Sequence, residues 1–287
     1  MLLEDEERIY SFLIQQCRKG KDFIGLFREK GMEQQILKAY YGGIFFECAL
    51  QERLSDAMII LPGFPGRNFY DELMKLFYEQ GYHVFVPRYR GSFQSKGVFL
   101  SKNPVDDVIF FMEHLVRGKV RNLWDMKQQS FRVNKMLLLG SSFGGAIACG
   151  VAAKHAVFSH LILAAPGWDF AKMNEQGDEQ DLKKLAIFVK RAYKNCYRYT
   201  FEDLAKRLSR FQELKPEYYV PRLQKLPILV LHDPNDKIVA FRHTKEMLAR
   251  LPRATLIEHY FGHGQAEVPL RTYRKEVDKF VKVNYLG

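Results

Sequence analysis

The sequence predicts an α/β fold: a mostly parallel central sheet with helices on both faces and an inserted helical segment above it. Three observations carry this. Short, near-continuous apolar runs recur along the chain, as in strands buried on both faces. Segments of helical periodicity separate them, the alternation that builds parallel sheets from crossover units. The alternation lapses once, over residues 167–222, where two or three helices and no strand are expected.

Residues 3–40 read as helical, with Ile9, Phe12, Leu13 and Cys17 at helical spacing and a second segment from Phe23 to Leu37. Residues 1–40 are therefore expected to form a helical extension that packs on the sheet edge, dimerises or lies against a membrane. "GIFFECAL" (Gly43–Leu50) and "AMIILP" (Ala57–Pro62) read as strands, followed by an amphipathic helix, "FYDELMKLFYEQGY", that Gly81 stops. "HVFVP" is the next strand. Asn103 is expected to cap a helix that has Pro104 at its first position and Val105, Val108, Ile109, Met112 and Leu115 as its buried stripe. Strand Lys135–Leu139, helix Phe143–Lys154 and strand "HLILAAP" follow. After the lapse come strand Pro227–His232, helix Phe241–Leu251, strand "ATLIEHY" and a final helix from about Val268. The core is thus assigned to residues 41–166 and 223–287, and a helical cap to 167–222.

Composition excludes other classes. The 287 residues are 47% apolar and 27% charged, as in ordinary globular proteins, so disorder is not the general answer. No run reaches the 18 or so apolar residues of a membrane span. Glu4, Asp5, Glu6 and Glu7 stand where a secretory signal would be basic and then apolar, so a cytoplasmic location is expected. The four cysteines are far apart and form no C-x-x-C pair, so neither a metal site nor a disulfide framework is suggested. Cys149 reads as a small buried hydrophobe. Net charge is +11, and residues 181–225 hold twelve Lys or Arg against five Asp or Glu. Such an excess marks either a solvated helical face or a surface for anionic substrates or membranes. Nucleic acid is not an expected partner, since no recognised module accompanies the basic segment.

The chemistry concentrates in "MLLLGSSFGGAIA" (Met136–Ala148). Gly140-Ser141-Ser142-Phe143-Gly144 has the G-x-S-x-G spacing and lies between an apolar strand and a helix, the context in which a central serine is raised on a sharp turn at the carboxyl edge of a sheet. Ser142 is two places from a glycine on either side; Ser141 is a spacer. A nucleophilic serine needs a base, and the base an orienting acid. Of the histidines, His83, His114, His155, His160 and His243 fall in or beside strands and helices on the wrong side of the connections. His263, in "YFGHGQAE", follows the last strand and precedes the last helix. The loop after "PILVLH" supplies two carboxylates: Asp233, which could instead serve the turn, and Asp236, the preferred acid. Ser142, Asp236 and His263 then occur in the chain order Ser, Asp, His.

These segments, with "LPGFPG" (Leu61–Gly66), "VPRYRGSFQSKG" (Val86–Gly97) and "LHDPNDKIV", make the chain similar to the α/β-hydrolase fold family over about residues 40–287. The likeness is to its small carboxylesterase, monoglyceride-lipase-like and serine-aminopeptidase-like branch. The resemblance implies an oxyanion hole made by the backbone N–H groups of Phe64 and Phe143; Pro65, with no N–H, cannot serve. It implies hydrolysis through an acyl-enzyme with no cofactor and no metal. Two departures, Pro62-Gly63 for His-Gly and Asp233 for Gly, remove neither a triad member nor an oxyanion amide. Arg90 is expected to be a structural brace. The substrate is expected to be a small acyl ester or thioester. A peptidase could use the same triad, but no acidic cluster in the cap marks capture of an amino terminus. A non-catalytic scaffold of this fold is the third possibility. The aromatics Phe188, Tyr193, Tyr197, Tyr199, Phe201, Phe211, Tyr218 and Tyr219 either line an acyl pocket or form plain core.

Overall fold

A computed structural model of the chain describes residues 36–66, 70–155, 157–170, 172–173, 176–177, 181–199, 204–263 and 266–283. The helical reading of residues 1–35 and the aromatic Phe201 lie outside them.

The chain enters as a strand, not a helix. β1 (Leu37–Tyr41) pairs antiparallel with β2 (Ile44–Ala49), across a turn in which Gly42 and Gly43 both take positive φ. The expected helix to residue 40 therefore fails over its last residues. Leu37 and Ala39 alternate inward against the core while Lys38 and Tyr40 point out, a period of two that a mixed five-residue run states only weakly. β3 (Ser55–Leu61), helix α1 (Asp71–Tyr78) and β4 (His83–Pro87) follow. Helix α2 (Pro104–Leu115) starts as expected: the Asn103 side chain accepts from the Val105 N–H. Its buried face includes Phe111, with Ile109 only partly covered. A hairpin of β5 (Lys119–Arg121) and β6 (Gln128–Ser130), too short to announce itself in the sequence, leads to β7 (Val133–Ser141). Helix α3 (Phe143–Lys154) and β8 (Phe158–Ala164) complete the first half.

Between β8 and β9 (Ile228–His232) the described residues contain helices α4 (Leu182–Tyr193) and α5 (Leu204–Arg210) with short helical turns, and no strand of the main sheet. Helix α6 (Phe241–Leu248), β10 (Ala254–Glu258), α7 (Glu267–Thr272) and α8 (Arg274–Val283) finish the chain. The single terminal helix expected from about Val268 is thus two, separated at Tyr273.

The eight strands form one sheet in the order β1-β2-β4-β3-β7-β8-β9-β10. All neighbours from β4 to β10 are parallel, and β2 runs antiparallel to both β1 and β4. Side-chain alternation divides the core. Ile59 and Leu61 face the layer that includes α2 and α3, and Met58 and Ile60 face α1, α7 and α8. From β3 the chain moves outward to β4 and then returns to place β7 on the other side of β3. That reversal opens a crevice at the carboxyl ends of β3 and β7, the place where open α/β sheets hold ligands. Among the described residues no helix is long and apolar enough to cross a membrane.

One core residue couples folding to pH. His160 in β8 is fully buried, against Phe280. Burial, with Lys135 adding to it, pushes its imidazole down to about 4. The unfolded chain, with an imidazole near 6.5, therefore takes up the proton first, and stability falls as pH drops between those values. We predict that His160→Leu removes about 2 kcal/mol of the loss in unfolding free energy between pH 7 and pH 5, read by denaturant titration at the two pH values. An unchanged pH dependence would refute this.

Candidate active site

The site is built on backbone proximity. The β3–β7 register sets Leu61 opposite Gly140, so the turns after the two strands meet. Ser142, between β7 and α3, has φ 51° and ψ −116°, a left-handed conformation for a residue with a Cβ. Such a conformation costs on the order of 1–3 kcal/mol and is held only where the surroundings over-determine it. They do so here. A Cβ on Gly144 would strike the carbonyl of Leu61, and one on Gly140 would strike the backbone of Gly144 and Gly145. The Ser142 N–H donates to Ala164 O (2.9 Å), and its carbonyl accepts from Gly145 and Gly167 (2.9 Å each).

Ser142, His263 and Asp236 are brought together. The Ser142 hydroxyl lies 3.1 Å from His263 Nε2, and His263 Nδ1 lies 2.7 Å from Asp236 Oδ2. The Asp236 side chain is fully buried and that of His263 is 15% exposed. Asp236 Oδ1 accepts from the Ile238 (2.7 Å) and Val239 (3.1 Å) amides. Burial alone would raise the Asp236 pKa, but the hydrogen bonds from His232 and His263 and the Ile238 amide outweigh it and hold the carboxyl well below its usual range.

Asp233, the other carboxylate considered, has a different place. Its Oδ1 accepts from the Asn235 N–H and its Oδ2 from the Gly262 N–H (2.7 Å), so it ties the loop that carries His263 to the loop that carries Asp236. Sequence reasoning missed His232, whose Nε2 lies 3.1 Å from Asp236 Oδ2. As the last residue of an apolar strand it reads as core, and only its position beside the carboxylate loop could have singled it out.

Phe64 lines the cavity beside Ser142, and Phe143 is the first residue of α3, where an N–H has no intrahelical partner. Neither amide has an acceptor among the described residues. The loop that holds Phe64 is braced by two tyrosines: Tyr89 donates to Pro62 O (2.7 Å), and the Gly66 N–H donates to the Tyr197 hydroxyl (2.7 Å). Phe64 stacks on Phe99 at 4.8 Å between ring centres and meets Tyr197 edge-on at 4.9 Å. Arg90 is the brace expected, donating to Asp107 (3.0 Å) and to Gly42 O. Cys149 is fully buried in α3, and burial pushes its thiol up to about 12, away from reactivity.

The cavity at Ser142 measures about 320 Å³. Ile60, Phe64, Leu73, Leu185 and Ile238 supply apolar wall; among the described residues, Glu267 is the one carboxylate in the lining and no Lys or Arg lines it. Of the aromatics between β8 and β9, Phe188 alone lines it among the described residues. Tyr197 and Phe211 are buried, Tyr193, Tyr199 and Tyr219 pack on the core, and Tyr218 is exposed. The lysines and arginine of α4's outer face, Lys183, Lys184, Lys190 and Arg191, are exposed and stand outside the cavity.

Residues 55–220, more than half of the chain, match the family model described as serine aminopeptidase, S33. The chain belongs to this family. Its fold has many solved counterparts. An esterase from Pyrococcus furiosus superposes with a TM-score of 0.63 at 13% identity, over 89% of this chain and 92% of that one. An α/β hydrolase enzyme from the metagenome of lagoon sediments at Mar Chica, Morocco, gives 0.57 at 17% identity, over 86% and 99%. An acylaminoacyl peptidase from Pyrococcus horikoshii gives 0.62 at 15%, over 91% of this chain and 43% of that one. Identities this low establish the α/β-hydrolase fold and leave the substrate open. No curated protein matches the chain in sequence. Family and fold together make the protein an α/β hydrolase of the esterase, lipase or peptidase type.

The tyrosine brace is testable on its own. Tyr197→Phe keeps the ring packing and strands the Gly66 N–H, which should cost about 1–3 kcal/mol of unfolding free energy. An unaltered denaturation midpoint would remove Tyr197 from this role.

Proposed function

We propose that the protein is a serine hydrolase that cleaves a carboxylic ester or thioester through an acyl-enzyme, with Ser142 as nucleophile, His263 as base and Asp236 as its orienting acid. The observation that carries this is the continuous hydrogen-bonded chain Ser142–His263–Asp236, at 3.1 and 2.7 Å, on a serine held in a strained turn. Ser142 Oγ attacks the carbonyl carbon as His263 Nε2 takes its proton, and the carbonyl oxygen becomes an oxyanion held by the Phe64 and Phe143 amides. Each amide contributes about 3–4 kcal/mol of transition-state stabilisation. His263 then returns the proton to the leaving oxygen or sulfur. Water, deprotonated by the same imidazole, attacks the acyl-enzyme, releases the acid and restores the Ser142 hydroxyl. Asp236 stays ionised throughout, as its hydrogen bonds favour.

The cavity sits near the small end of small-molecule sites. Its apolar wall, with no Lys or Arg among the described lining residues, favours a short, uncharged acyl group. The exposed cations of α4 do not line this cavity, so they take no part in acyl selection.

A second reading, an aminopeptidase, is favoured by Glu267, whose carboxylate could pair with a substrate ammonium, and by the family's description. p-Nitrophenyl esters and aminoacyl anilides, assayed side by side, discriminate the two. A fluorophosphonate probe should label the wild type and leave Ser142→Ala unlabelled; labelling of that variant would overturn the site. Asp236→Asn should lower kcat by about 10⁴-fold by imposing the wrong imidazole tautomer. Among p-nitrophenyl esters, short neutral acyl chains should be turned over faster than long or carboxylate-bearing ones. A preference for the latter would refute the cavity argument.

A further inference from the structure

We infer that His232 is a positioning residue for the Asp236 carboxylate: a buried imidazole, held in place by Thr244 and Trp168, that shares Asp236 Oδ2 with His263 and so limits how tightly that oxygen holds the His263 proton. The inference rests on the reading of Ser142, His263 and Asp236 as the catalytic residues.

Partner chemistry assigns the tautomer. His232 Nε2 lies 3.1 Å from both Asp236 Oδ2 and the Val239 carbonyl oxygen. An ionised carboxylate and a carbonyl only accept, so Nε2 carries the hydrogen. The Trp168 indole N–H, which only donates, lies 2.8 Å from Thr244 Oγ1. That oxygen accepts from Trp168 and keeps its own hydrogen available to His232 Nδ1, 2.7 Å away. The four side chains form a directed series, Trp168 to Thr244 to His232 to Asp236, and every hydrogen-bonding atom in it has a matching partner. Trp168, Thr244 and His232 are at most 3% exposed. Removed from water, such a series keeps one arrangement.

Its ends matter. Trp168 lies just past β8, where the β8–β9 connection begins, Thr244 lies on α6, and His232 ends β9. The series therefore joins three elements to the one carboxylate that orients His263. His263 and His232 then donate to the same oxygen, at 2.7 and 3.1 Å. Two donors on one carboxylate oxygen divide its negative charge. Loss of the His232 donor leaves more of that charge to stabilise the protonated form of His263, and it frees Asp236 to turn. Among the described residues, the Asp233 carboxylate and the His259 imidazole, from the loops after β9 and β10, also interact with this cluster. Helix α6 presents Thr244 and the Phe241 ring to His232.

The test is the pH profile of kcat/KM on a p-nitrophenyl ester, for the wild type, His232→Leu, His232→Gln and Thr244→Val, with Ser142→Ala as the control. His232→Leu should move the acid limb upward by about half a pH unit or more and lower kcat by about tenfold or more, with KM little changed. His232→Gln, whose amide offers an N–H near the Nε2 position, should restore the wild-type limb and most of kcat. Thr244→Val keeps His232 but frees its tautomer, and should shift the limb in the same direction by less. It carries the test if His232→Leu does not fold. A wild-type acid limb in both His232→Leu and Thr244→Val overturns the inference, as does a kcat loss that His232→Gln fails to rescue. Persistent activity in Ser142→Ala would instead overturn the assignment of the nucleophile, whatever the His232 variants do.

Discussion

Every feature of the site depends on one close approach, that of the turn after β7 to the end of β3. Backbone meets backbone there, with Gly144 against the Leu61 carbonyl, and no side chain fits between. The approach forces Ser142 into positive φ and aims it at the crevice. The same approach sets Gly63 beside it: a Cβ on Gly63 would lie 3.3 Å from Ser142 Cβ. The Ser142 backbone donates to Ala164 O and accepts from the Gly167 N–H, which ties the turn to the end of β8 as well. The strain at Ser142 is thus sustained by three parallel strands at once, which a flexible loop could not do.

The second organising group is the Asp236 carboxylate. It accepts four hydrogen bonds, two from backbone amides of its own loop and two from imidazoles on different strand ends. A buried carboxylate with fewer partners would be costly and would tend to take up a proton. With all four it stays ionised and immobile. Asp233 complements it by fastening the two loops at Gly262, so the pair of acids at one strand end divides into one that faces His263 and one that holds the loops in register.

The segment between β8 and β9 serves the site largely from behind. Tyr197 reaches Gly66, and a bridge between Ser92 and Tyr197 pins the segment to the loop after β4. Leu185 and Phe188 of α4 reach the cavity wall. The aromatic richness of this stretch is thus mostly core and bracing; its basic residues include both the exposed cations of α4 and Arg198, which is partly buried and donates to the Phe93 and Gly97 carbonyls. Polar groups and apolar wall are separated in this way: the sheet edge holds Ser142, Asp236 and His263, and a few apolar side chains line the cavity beside them.

By itself the sequence determined the sheet and helix rhythm, the Asn103 cap, the serine on its turn, and the chain order that puts Ser142, Asp236 and His263 after β7, β9 and β10. These are local matters: apolar periodicity, small residues beside a sharp turn, and the place of each polar residue just past a strand end. It misjudged β1, because LKAYY mixes polar and apolar residues in a run too short to show a period, and although it preferred Asp236 it could not say what Asp233 contacts. Tertiary structure decided those points, and it decided what His232, Thr244, Trp168 and Tyr197 touch. These residues lie up to 131 positions from the groups they contact. Their character comes from the partner that folding places within 3 Å or so of them, and no spacing along the chain encodes that distance.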